Sequence, residues 1–420
     1  MVATIKLIKS KIKPEQVFML SVLLVNGGNY LYNLILGRFL GPDKFADAAI
    51  LVTFLLVLSF VAMTFQLVAA KFSVLFDQNI FKQFISKLYK NAFFVGIFLA
   101  LLIIVFSNDL QVFFKTSSSK MFLIFGLGVP FYFLMSVNRG VYQGKKELTS
   151  LSITYQSEMI SRLLITFLLL YFLNFDSSLL ISLGILCSFI FGMLPFKLST
   201  FSFKTDFKLP TAKRTMVRNF FIITAFYELT QIIINNSDIL LVKHYFASYE
   251  AGLYASLALI GRVVYFIAWM FVMLLLPAVV QLKKEGKSTL PILMKYVSYI
   301  GLIALSIVVV CYIFPQQIII LLFGDSYLAI AALLWKYALA TGVFAISNIF
   351  AYYYLSLDKY VPVILSGIFG MLQVVLVTQY HNSLSQVVNV QVIAMFLLLI
   401  VQLTYFLINN LNLLKFKKSI

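Results

Sequence analysis

Charge and thiol are what this chain has least of. Its 420 residues include 15 acids, two histidines and two cysteines, and 11% of the chain is charged, against about a quarter in soluble domains. Cys187 and Cys311 both lie inside apolar runs, which argues against a disulfide framework and a thiolate metal site. His244 and His381 are far apart in sequence, so a histidine metal cluster has no support either. There is no Gly-Lys-Ser/Thr phosphate loop, which argues against direct ATP hydrolysis.

Apolar surface fills the chain instead. Hydrophobic residues make up 62% of it and its mean hydropathy is +0.98, where a soluble chain is about half apolar. This is the composition of an all-α polytopic membrane protein, with room for about ten to thirteen spans of roughly 20 residues. Twelve apolar runs can be delimited, at 17–38, 47–70, 91–107, 121–142, 155–173, 178–196, 219–241, 252–276, 292–314, 331–355, 361–380 and 389–409. The first follows Lys6, Lys9, Lys11 and Lys13 without a small-residue cleavage pattern, and reads as a retained span.

A net charge of +18 would suggest nucleic acid in a soluble protein, but here orientation explains it. Lys and Arg accumulate in cytoplasmic loops. With the N-terminus inside, the inside segments hold 25 of them, Arg139 included. The outside segments hold four, Lys44, Lys115, Lys120 and Lys243, while Arg38, Arg162, Arg262 and Lys336 lie in or at the ends of spans. The expected topology is therefore a multi-pass protein with both termini cytoplasmic and no nucleic-acid partner. Its Lys, Ile, Asn and Phe content has a bacterial character, which places it in a bacterial cytoplasmic membrane.

Two inside segments are long. In Lys71–Lys90, Phe76, Ile80, Phe84 and Leu88 recur every fourth residue, the pattern of a helix lying in the headgroup region. Phe196–Asn219 is the most basic loop and contains Pro210. It falls between six spans and six spans, giving an N-terminal lobe at 1–203, a basic cytoplasmic linker at 204–218 and a C-terminal lobe at 219–420. Leu40–Ala48 aligns with Phe246–Tyr254 at a constant offset of 206, and Tyr142–Glu147 with Tyr354–Lys359 at 212. Since each half has an even number of spans, the lobes are expected to be parallel repeats about an axis along the membrane normal.

Glu158, Arg162, Glu228, Asp238 and Arg262 fall inside expected spans, where each charge facing lipid costs about 2.5–3.5 kcal/mol. Glu158 and Arg162 stand four apart and can form a structural ion pair on one helix. Glu228, Gln231, Asn235 and Asp238 recur at three- and four-residue intervals, a continuous polar stripe on span seven. Span one carries its counterpart in Asn26, Asn29 or Tyr30, Asn33 and Gly37. Such stripes suit a cavity between two lobes, and equally inter-helix hydrogen bonding. Arg262 and Glu228 both come out roughly 14–15 Å deep at 1.5 Å per residue, near the midplane of a ~30 Å core. They can pair structurally, or Arg262 can hold an anionic group for which Glu228 competes when the site is empty.

Four places carry a resemblance to a family: Gly37–Asp43; Asn236–Leu241 leading to Glu250–Tyr254; Pro277; and Leu322–Phe323–Gly324–Asp325–Ser326–Tyr327. They resemble the polysaccharide-biosynthesis flippases of the multidrug/oligosaccharidyl-lipid/polysaccharide exporter superfamily, with Ala46 where that family usually places Gly. The resemblance implies twelve transmembrane helices in two six-helix lobes around a central cavity. It also implies alternating-access transport of an isoprenoid-pyrophosphate-linked oligosaccharide to the outer leaflet, without catalytic residues, metal or cofactor. The cavity candidates are then Arg262, Glu228, Asn29, Asn33, Gln231, Asn235 and Asp238. The partners are the lipid-linked oligosaccharide, membrane lipids, and a polysaccharide polymerase or glycosyltransferases. The competing readings are a cation-coupled multidrug exporter of the same superfamily and, from another class, a membrane glycan polymerase or ligase. The latter needs acids, His or Arg on a sizeable outside loop, and the loops near Ser107–Lys120 and Pro315–Ile330 carry one acid each.

Overall fold

With little water to satisfy them, backbone N–H and C=O groups inside a bilayer must bond within their own segment, and this chain does so with helices. A computed structural model describes residues 14–195, 209–265, 267–268, 275, 279, 282–283, 285–357 and 359–418. The lysines before Pro14, most of the expected linker (196–208) and Pro277 lie outside the described residues. Among the described residues there are thirteen α-helices and no strand.

Eleven of the twelve apolar runs fall on a helix, and the eighth begins on one. The first two share α1, Pro14–Leu75, which breaks at Gly41 (φ 72°, ψ 171°). Pro42 lacks the N–H a helix needs there and pushes the preceding residue out of the helical region, and glycine alone adopts that positive φ without strain. The next four runs are α2 (Gln78–Val105), α4 (Lys120–Gly144), α5 (Leu148–Phe172) and α6 (Ser177–Phe191), with a short α3 (Ser107–Phe114) after α2. Then come α7 (Thr211–Tyr245) and α8 (Ser248–Gly261), which carries the start of the eighth run. They are followed by α9 (Leu290–Ile313), α10 (Pro315–Leu322), a 3-10 helix (Asp325–Leu333), α11 (Leu334–Ser356), α12 (Val361–Gln379) and α13 (Leu384–Lys418). A long helix capped by a helix of eight residues occurs twice, as α2–α3 and α9–α10, an echo of the sequence repeat.

Two sequence expectations change. The headgroup helix expected over Lys71–Lys90 does not form: α1 ends at Leu75 and α2 starts at Gln78. Phe76, Phe84 and Leu88 are buried, with the Phe72 ring tilted against Phe76 and edge-on to Phe84, so the four-residue period marks a packed helix face. The expected linker is helical from Thr211 onward, as the opening turns of α7.

The chain forms two compact units. The first comprises Met1–Asn33 and Ile50–Leu229, the second Leu34–Ala49 and Thr230–Ile420. In the first, Gly140 and Gly144 bring α4 against α1, where an added Cβ would come within 2.2 Å of the Gln66 carbonyl and 1.7 Å of Ser73 Oγ. This is the small-xxx-small approach of membrane helices. Phe54 meets Phe114, Phe122 and Phe125, and Phe65 meets Phe133. In the second, Val264, Ala268, Ile300, Ala345 and Phe350 form one apolar core, while Ile234, Phe344 and Leu398 anchor another.

Candidate functional site

Among the described residues buried charge falls in three clusters. In the second unit Asp238 of α7 is fully buried. One oxygen takes Arg262 Nη2 at 2.8 Å, and the other receives the Tyr337 hydroxyl at 2.7 Å and Gln391 Nε2 at 2.8 Å. The Tyr254 hydroxyl lies 3.1 Å from both that oxygen and Gln391 Oε1. Arg262 caps α8 and also donates Nη1 to Asn236 Oδ1 and Nε to Tyr337, each at 3.2 Å. Gly261 makes this possible, since a Cβ there would overlap the Tyr337 ring at 2.3 Å. The carboxylate is saturated and every nitrogen of the guanidinium is used, which is what a buried ion pair requires to offset its desolvation. A small pocket beside it is lined by Asn235, Arg262, Tyr337, Thr341, Gln373 and Gln391 among others.

Arg262 therefore takes Asp238 as its carboxylate, and not Glu228 as equal depth implied. Glu228 belongs to the first unit. The stripe on span seven divides accordingly. Gln231 receives the Tyr265 hydroxyl at 3.2 Å, and Asn235 donates to the Gln231 carbonyl at 2.8 Å. Asn29 and Asn33 lie in the first unit, where Asn33 Nδ2 donates to the Asn29 carbonyl at 2.9 Å and Asn29 Oδ1 is buried without a partner among the described residues.

The first unit holds a second cluster. Glu158 bonds Arg162 one turn along α5, and its other oxygen bonds Arg139 of α4 at 2.6 Å. Arg139 also donates to Thr154 Oγ1 and the Thr154 carbonyl, and its guanidinium lies 4.0 Å from the centroid of the Tyr155 ring. Arg162 Nε reaches Ser188 Oγ of α6 at 3.4 Å. Counted as a loop residue in the sequence, Arg139 is instead a buried helix residue.

The third cluster closes the second unit around its borrowed segment. Lys243 Nζ is 2.8 Å from Asp47 and 3.1 Å from Ser248 Oγ, so this lysine is a buried partner and not a loop charge. Gly252 sits under Pro42, whose carbonyl oxygen would be 1.8 Å from any Cβ there. The Leu322–Tyr327 motif grips the same segment: Tyr327 donates to the Gly37 carbonyl at 2.7 Å, Arg38 donates to the Leu321 carbonyl at 2.9 Å, and Phe45 packs on Phe323 and Tyr327.

Sequence reasoning missed Tyr254, Tyr337 and Gln391 as partners of Asp238, and Asn236 as a partner of Arg262. Only Asn236 and Tyr254 had a signal, lying within the two motifs of the second half. Among the described residues no group of three or more His, Cys, Asp or Glu stands together to hold a metal.

Comparisons place this architecture. The chain is similar in fold to a lipid II flippase, MurJ, in an inward-closed conformation, at 14% identity over 93% of this chain and 87% of that one, with a TM-score of 0.73. It is also similar to a MATE transporter in the bent conformation (13% identity, 97% of each chain, TM-score 0.63). A third similar structure is an outward-facing multidrug resistance MATE family transporter of the MOP superfamily (14% identity, 98% of each chain, TM-score 0.56). No curated protein sequence matches the chain significantly. The sequence profile of the polysaccharide biosynthesis protein family matches residues 35–332. With more than half of its length under that match, the chain belongs to the polysaccharide biosynthesis protein family.

Proposed function

We propose that the protein is a flippase carrying an isoprenoid-pyrophosphate-linked oligosaccharide from the inner to the outer leaflet of a bacterial cytoplasmic membrane, by alternating access and without chemistry on the glycan. The observation that carries this reading is the family match over residues 35–332. The likeness to a lipid II flippase supports it, because that protein by its name also moves a lipid. The buried ion clusters agree with transport, since charges kept inside a membrane despite their cost mark functional groups.

Deleting the gene tests the proposal. Surface polysaccharide should vanish, lipid-linked oligosaccharide should accumulate on the cytoplasmic face, and a plasmid copy should restore export. Unchanged surface glycan in the deletion strain refutes it. The MATE likeness over 97% of both chains favours a second reading, a cation-coupled multidrug exporter. Under that reading vesicles holding the protein take up a fluorescent cation, and the deletion strain keeps its glycan.

A further inference from the structure

One end of the first unit gathers positive charge. The segments 71–90, 145–147 and 211–218 hold nine Lys and Arg against two acids, Asp77 and Glu147. Three of these lysines come from separate elements: Lys71 near the end of α1, Lys145 just after α4, and Lys213 in the first turn of α7. All three belong to the first unit. Gly144 lies against Ala70 and Ser73, which sets Lys145 beside the last turns of α1.

Each of the three lysines is seated on a phenylalanine. Lys71 Nζ lies 3.9 Å from the centroid of the Phe220 ring, Lys213 Nζ 5.4 Å from that of Phe76, and Lys145 Nζ 5.6 Å from that of Phe81. Phe76 and Phe220 are joined through Phe72, whose centroid is 5.0 Å from the one and 6.1 Å from the other. Phe72, Phe76 and Phe81 are buried, while Lys71 and Lys145 are exposed. The ring faces attract the ammoniums and steady long side chains without taking up their N–H groups.

Those N–H groups are unused. Lys71, Lys145 and Lys213 have no hydrogen-bond or ion-pair partner among the described residues, and neither Asp77 nor Glu147 pairs with any of them. In the second unit, by contrast, Lys283 donates to the Leu357 carbonyl, Lys287 to Glu285 and Lys359 to Asn409 Oδ1. Orientation in a membrane asks for positive loops. It does not ask for three lysines from separate elements set on packed aromatic rings.

Position selects the ligand. α1 ends at Leu75, α4 ends at Gly144 and α7 begins at Thr211, so the three ammoniums stand where spans leave the hydrocarbon, at the level of lipid phosphates. Beyond Lys213 the same side of α7 continues with Met216 and Ile223, which are 48% and 47% exposed. A soluble anion leaves that apolar surface bare, and an acyl chain covers it.

We infer that Lys71, Lys145 and Lys213 form a binding site for the phosphate of an anionic membrane phospholipid, whose chain lies along α7 over Met216 and Ile223. One bound lipid then ties the opening turns of α7 to the ends of α1 and α4. The site does not depend on the cargo and would be the same in a glycan carrier and in a drug exporter.

Native mass spectrometry of the full chain in detergent tests this, with separate titrations of phosphatidylglycerol, phosphatidylcholine, glycerol 3-phosphate and farnesyl diphosphate. Phosphatidylglycerol should bind most tightly. Phosphatidylcholine has no net charge and glycerol 3-phosphate has no chains, so each should bind about tenfold more weakly or worse. Glycerol 3-phosphate matching phosphatidylglycerol would make this a site for free phosphate, and a preference for farnesyl diphosphate would make it one for an isoprenoid lipid. Either result overturns the assignment.

Lys71→Gln, Lys145→Gln and Lys213→Gln should each weaken phosphatidylglycerol about fivefold, the share of one lysine at an anionic lipid surface. The triple variant should bind phosphatidylglycerol no better than phosphatidylcholine, whereas arginine at all three positions should keep most of the preference. Exposed lysines at the same end separate a site from a diffuse positive surface. Lys82→Gln with Lys146→Gln removes as much charge as Lys71→Gln with Lys213→Gln, yet should cost less than about twofold. Equal losses from these two double variants, or wild-type affinity in the triple variant, overturn the inference. None of the substitutions breaks a hydrogen bond or an ion pair, so every variant should keep the wild-type size-exclusion profile.

Discussion

Lys243 and Asp47 meet at 2.8 Å with both side chains buried, across nearly two hundred residues of sequence. Removing one partner of such a pair strands the other charge, at a cost of about 3–5 kcal/mol, whereas replacing both with apolar residues can be neutral. Lys243→Met and Asp47→Leu should therefore each lower the melting temperature of the purified protein sharply. The double variant should recover most of the loss. If the double variant is as unstable as the sum of the singles, the two residues are not a coupled pair.

Asp238 and Arg262 should behave the same way but with a graded response. Asp238→Asn keeps the shape and leaves Arg262 uncancelled, so expression should fall more than for Arg262→Lys, which keeps the charge and loses the contact to Asn236 or Tyr337. Membrane-fraction immunoblots and size-exclusion profiles measure both. Equal levels for the two variants would show that charge balance is not what holds this cluster.

Two glycines give opposite expectations. Gly252→Ala places a methyl group against the Pro42 carbonyl and should destabilise the protein. Gly301→Ala meets nothing within 4 Å and lies inside α9, where alanine gains about 0.5–1 kcal/mol in helix propensity. Thermal unfolding should move down for the first and up or not at all for the second.

With the buried Arg139 and Lys243 set aside, Lys and Arg still split 24 against three across alternating segments, and the expected topology rests on that split. Reporter fusions after Lys87 and Lys213 should read cytoplasmic, and after Lys115 and Ser383 external. An external signal at Lys213 would reverse the second half.

Hydropathy made the spans legible, because burying backbone in lipid leaves few alternatives to a helix, and Gly41–Pro42 announced the break between the first two. The ion partners were not legible. Counting loop charges treats each Lys and Arg assigned to a loop as wet, yet Lys243 and Arg139 are buried: a short polar stretch between spans can fold against its neighbours, as at Lys243, and Arg139 lies at the end of the 121–142 run, inside α4. Depth along a helix also misled the pairing of Arg262. The residue stands about 21 Å along α8 from the α7–α8 turn at 1.5 Å per residue, but its side chain leans back toward the helix N-terminus. That brings the guanidinium level with Asp238, roughly 10 Å from the turn, and leaves Glu228, roughly 25 Å away, out of step. The Leu322–Tyr327 motif was recognisable by resemblance alone, and its physical role, gripping Gly37 and Phe45, needed the fold.

The second unit includes Leu34–Ala49, a piece encoded in the first half of the gene. Recombination between relatives is thereby constrained: a chimera that exchanges only the C-terminal half receives Lys243, Gly252 and Tyr327 without the Asp47, Pro42 and Gly37 they evolved against. The heritable block is discontinuous, and a working graft from another member of the family must carry residues 34–49 along with everything after Leu229.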